Sequence, residues 1–110
     1  MSTLELRADV RMSVSLKGAL NSGDTWSACR VLDMSDSGFL IICSKELLVG
    51  QVLDFRCELY PEKTLTCKIE IRHVSDTGVG SKIVEIDEKG SELLQLFLQE
   101  QYSHKLDKSA

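Results

Sequence analysis

Apolar and polar residues alternate along most of this chain, and the spacing becomes helical near the C-terminus. Met12, Val14, Leu16 and Leu20 share one parity while Ser13, Ser15 and Lys17 take the other, which predicts a half-buried strand. The cluster Asn21-Ser22-Gly23-Asp24 reads as a turn, followed by a second strand over Thr25 to Leu32. Gly38 then introduces Phe39-Leu40-Ile41-Ile42-Cys43, a continuous apolar run expected to be a strand buried on both faces. Leu53, Phe55, Cys57 and Leu59 alternate with Asp54, Arg56 and Glu58, and Leu65, Cys67, Ile69 and Ile71 with Thr66, Lys68, Glu70 and Arg72. A turn at Tyr60-Pro61-Glu62-Lys63 joins these two strands. Asp76-Thr77-Gly78 closes a further hairpin into a strand over Val79 to Ile86. Beyond it, Leu93, Leu94, Phe97 and Leu98 recur at helical spacing, supported by Leu96 and Tyr102, with Asp87 or Ser91 placed to cap.

Six short strands and one terminal helix predict a mainly β fold, a small antiparallel barrel. At 110 residues the chain suits one domain. Its composition narrows what that domain does. With 13 basic residues against 17 acidic ones and no basic cluster, a general nucleic-acid-binding face is disfavoured. A single compact anion needs only two or three well-placed arginines. No apolar run is long enough for a membrane span, and Met1 to Leu6 lacks the basic start of a secretory signal, so a cytoplasmic location is expected. Four cysteines at 29, 43, 57 and 67 show no metal-ligand spacing and read as reduced core thiols. His73 and His104 have no partner at catalytic spacing, and no nucleophile motif or phosphate loop is present, so neither enzymatic activity nor a metal or cofactor is expected. Trp26 is expected at the barrel rim or in the core.

Two motifs remain. Arg7-Ala8-Asp9-Val10-Arg11 has the form R-x-x-x-R, and Asp33-Met34-Ser35-Asp36-Ser37-Gly38 the form D-x-S-x-x-G. In this order, the pair resembles the PilZ family, bacterial receptors for cyclic di-GMP. The resemblance covers roughly residues 5–102. It implies a six-stranded antiparallel barrel with a C-terminal helix. The expected division is a flexible arm over 1–11, the barrel and helix over 12–106 and, from the polar residues after about Leu106, a disordered tail over 107–110.

Cyclic di-GMP carries two phosphates, two Hoogsteen edges and two flat purines, and the planar guanidinium of arginine suits all three. Arg7 and Arg11, on one side of an extended segment, would stand roughly 13 Å apart and bracket the ligand. The resemblance assigns Asp33 to the guanine Watson–Crick donors, Ser35 to a phosphate or amine, and Gly38 to a positive φ or a close backbone approach. Ser37 and Arg72 are further candidate contacts. Leu6 stands where some members have another arginine, which favours one messenger per protomer over a stacked dimer.

The expectation is a stand-alone receptor, monomer or weak dimer, whose arm orders on binding and signals to a separate downstream protein. The alternative is a PilZ-fold interaction module of pilus or motility machinery that binds no nucleotide.

Overall fold

The computed structural model describes residues 11–109, with side chains through Ser103. Six strands, β1 (Met12–Asn21), β2 (Trp26–Met34), β3 (Gly38–Cys43), β4 (Val52–Tyr60), β5 (Lys63–Ser75) and β6 (Gly78–Glu85), precede one helix, α1 (Glu88–Ser109). The strands close into an antiparallel barrel in the order β1-β2-β3-β6-β5-β4. Closure comes from pairing β1 with β4, Gly18 opposite Cys57 and Leu20 opposite Phe55.

The two-residue period puts one face of each strand on the core. Val31, Met34, Phe39, Ile41, Leu53, Phe55, Leu65, Ile69 and Ile71 are buried there. At the centre the Phe39 and Phe55 rings lie 4.6 Å apart. The expected strand buried on both faces is corrected: β3 alternates, with Phe39 and Ile41 fully buried and Ile42 46% exposed. A barrel wall one strand thick has one dry side, and on the other side of β3 Ile42 remains exposed among the described residues.

Asp87 caps the helix as expected, accepting from Gly90 N at 2.7 Å. Leu94, Phe97 and Leu98 enter the barrel core, while Leu96 faces outward. The Phe97 ring meets Tyr60 edge-on at 5.5 Å, tying the helix to the end of β4. The helical backbone continues to Ser109, since no glycine or proline after Gly90 interrupts it. Among the described residues no helix is long and apolar enough to cross a membrane.

Candidate functional site

The two motifs meet on the outer wall of the barrel. Arg11 stands directly before β1, and Ser13 pairs with Asp33 across β1 and β2. The Arg11 Nε donates to Asp33 Oδ1 at 2.7 Å, with the two side chains 41% and 24% exposed. Residues 22 apart in sequence are thus joined by a charge-assisted hydrogen bond open to solvent on one side. Arg7 lies outside the described residues.

The register extends this row across the wall. Asp33 is opposite Leu40, Leu40 opposite Gly80, and Gly80 opposite His73. The floor between Asp33 and His73 therefore consists of one half-buried leucine and one bare backbone position. At about 4.8 Å per strand it spans roughly 14 Å. Irregularities flank the row: β1 shifts between Ser13 and Leu16, β2 between Val31 and Asp33, and β5 between Ile71 and His73. Bulges re-aim side chains. One carries Arg72, which is exposed and directed away from the core as its parity predicts. Register brings Arg72 to the far end of the row from Arg11, so these two cations bracket the floor. Arg30 Nη1 donates to Ser15 Oγ at 3.0 Å beside the β1 irregularity.

The turn between β2 and β3 is built by its own serines. Ser35 N donates to Gly38 O at 3.0 Å, and Ser35 Oγ accepts from Ser37 N at 3.2 Å. Ser35 is fully buried, and its hydroxyl lies 3.2 Å from that of Ser37. It shapes the turn from inside, whereas half-buried Ser37 lies nearer the surface. The Ser37 carbonyl accepts from Ile83 N at 2.7 Å, fastening the turn to β6.

Gly38 serves close approach rather than a left-handed φ; the positive-φ glycines of the described residues are Gly50 and Gly78. A β-carbon at Gly38 would sit 3.0 Å from the Ser81 carbonyl carbon and 3.2 Å from Lys82 Cα, and closer still to the Ser81 carbonyl oxygen. The glycine is what lets β3 lie against β6.

Two residues at the turn escaped the sequence reading. Lys82 pairs with Gly38 and is exposed, which adds a cation beside the turn. The parity of Gly78, Gly80 and Lys82 along β6 was the available signal. Asp36 Oδ1 is buried and has no hydrogen-bond partner among the described residues. Trp26 belongs to another part of the surface, 39% exposed with the Arg56 guanidinium 4.2 Å from its ring centroid.

Comparison with known proteins agrees with this architecture. The PilZ domain family model matches residues 5–100, nearly the whole chain. The chain belongs to the PilZ domain family. Among solved structures, this PilZ domain is similar to the Bacillus subtilis inhibitor of motility MotI/DgrA, with a TM-score of 0.74 at 16% identity. The match covers 96% of this chain and 53% of that one, so the PilZ domain described here spans about half the length of its structural neighbour. No curated protein sequence matches the chain at a significant level.

Proposed function

We propose that this PilZ domain is a cyclic di-GMP receptor whose ligand lies on the outer wall between the Arg11–Asp33 pair and Arg72. The observation that carries the reading is the direct contact between Arg11 and Asp33, which brings the two motifs into one site. Binding is an exchange of partners. Arg11 leaves the carboxylate for a phosphate, where its planar fork pairs bidentately. Asp33, released, accepts from guanine N1–H and N2–H₂. Leu40 and the bare backbone of Gly80 form a flat apolar floor for a purine. Arg72 and Lys82 add charge, while Ser35, Ser37 and Gly38 hold the turn in shape.

Arg7 would close on the second phosphate. Moving Arg11 repositions the segment over residues 1–11, and a separate protein reads the changed surface. The family is associated with cyclic di-GMP, and the structural neighbour is described as a motility inhibitor, which supports a cytoplasmic signalling role touching motility.

Isothermal titration calorimetry with cyclic di-GMP, cyclic di-AMP and cyclic GMP-AMP tests this. Micromolar or tighter binding selective for cyclic di-GMP is expected. Asp33→Ala should weaken it by about 5- to 150-fold, the worth of one bidentate base contact, and Arg7→Ala should weaken it too. Unchanged affinity in both variants discards the site. Absence of heat with all three nucleotides favours a protein-interaction module, for which the exposed Leu48, Val49 and Val52 provide an apolar contact surface.

A further inference from the structure

The four thiols lie on strands β2 to β5, and the strand register sorts them. Cys29 on β2 is the direct partner of Cys43 on β3. Directly opposed antiparallel residues point to the same face, with Cα atoms about 4.5–5.5 Å apart. That lies inside the roughly 4.4–6.8 Å range that a disulfide spans. The two other combinations on neighbouring positions of the wall are less favourable. Cys29 and Cys57 both pair with Gly18 from opposite sides, two strand spacings or about 9.5 Å apart. Cys57 pairs with Leu65 while Cys67 pairs with Phe55, a diagonal relation of about 7–8 Å that is at or beyond the limit.

We propose that Cys29 and Cys43 form a reversible cross-strand disulfide that staples the β2–β3 hairpin. This hairpin carries Asp33, the Leu32 irregularity and the whole second motif between its two thiols, so the bond would lock the strand register beneath the candidate site. The inference does not depend on what that site binds.

The chemistry is thiol–disulfide exchange. Cys43 is the more accessible thiol and donates its S–H to Lys45 O at 3.3 Å. As thiolate it attacks oxidised glutathione, forming a mixed disulfide and expelling one glutathione thiolate. Cys29, deprotonated, then attacks the Cys43 sulfur and expels the second. Two protein thiols are oxidised, one glutathione disulfide is reduced to two thiols, and the protons pass to the leaving thiolates. Burial pushes the Cys29 thiol up to about 11, so the second step is slow at neutral pH and faster under mildly alkaline conditions.

The test is incubation of the folded protein with oxidised glutathione, then alkylation, unreduced tryptic digestion and mass spectrometry. Cleavage after Lys17, Arg30, Lys45, Arg56 and Lys63 places the four cysteines on four separate peptides. The expected product joins residues 18–30 to 31–45 and is released by dithiothreitol. Cys29→Ser should stop at a glutathione adduct on Cys43, and Cys57→Ser should still form the bridge. A bridge between any other pair, or persistence of the Cys43 adduct alone in the unsubstituted protein, would overturn the proposal.

Discussion

Replacing Gly38 by alanine adds one methyl group where the structure has no room for it. The new carbon would press on the Ser81 carbonyl and approach Lys82 Cα to 3.2 Å, and both are backbone. No side-chain rotation relieves the contact, so β3 and β6 must separate. That separation strains the pairing of Phe39 with Ser81 and the bonds from Ser81 Oγ to Phe39 O and from Ile83 N to Ser37 O. Overpacking of this kind costs about 1–3 kcal/mol, and a backbone obstacle places Gly38→Ala near the upper end. At about 4–8 °C per kcal/mol for a domain of this size, the expected fall in Tm is roughly 10–20 °C by circular dichroism. Gly23→Ala is the control, because among the described residues nothing lies within 4 Å of a β-carbon there. A Gly38→Ala variant that melts within about 3 °C of the unsubstituted protein would refute the argument. The result also bears on ligand studies: loss of binding in that variant reports a deformed turn, not a missing ligand contact.

Two other measurements probe the frame of the domain. Burial, and for Tyr60 also the neighbouring Glu100 carboxylate, pushes Tyr60, Cys57 and Cys67 up to about 12, and burial with the neighbouring Cys43 pushes Cys29 up to about 11. The folded state then holds protons that the unfolded chain releases from about pH 9 upward, so stability falls as pH rises through 9–12. Melting under reductant from pH 8 to 11 should show a steady decline, blunted above pH 10 by Tyr60→Phe; a flat profile contradicts this. Asp87→Ala removes the acceptor for Gly90 N and should cost about 1 kcal/mol in urea unfolding. No change there would mean that water replaces the cap without loss.

The strands most legible in the sequence were β4 and β5, because their alternation maps directly onto a wall with one dry face and one wet one. The same geometry explains the misreading of Phe39 to Cys43. Whether Ile42 is covered depends on what lies outside β3, and hydropathy along the strand carries no information about that. The motifs identified Arg11 and Asp33, but not that they touch. The register between β1 and β2 decides that contact. Ser35 is assigned as a ligand contact by family resemblance; its burial follows from the closing of the turn over it, which the motif does not reveal. Lys82 stayed hidden because its place beside Gly38 arises from pairing two strands far apart in sequence.

That distant pairing sets when the site comes into being. A ribosome that has finished only β5 has already made every residue of both motifs. Gly38 still lacks the strand it packs against, and Ser37 the amide that fastens it. The late arrival of β6 therefore turns two ready-made sequence motifs into a shaped surface, and a ligand of that surface would favour finished barrels over partial ones by mass action. Sensing and completion of the fold would then be coupled at the same strand.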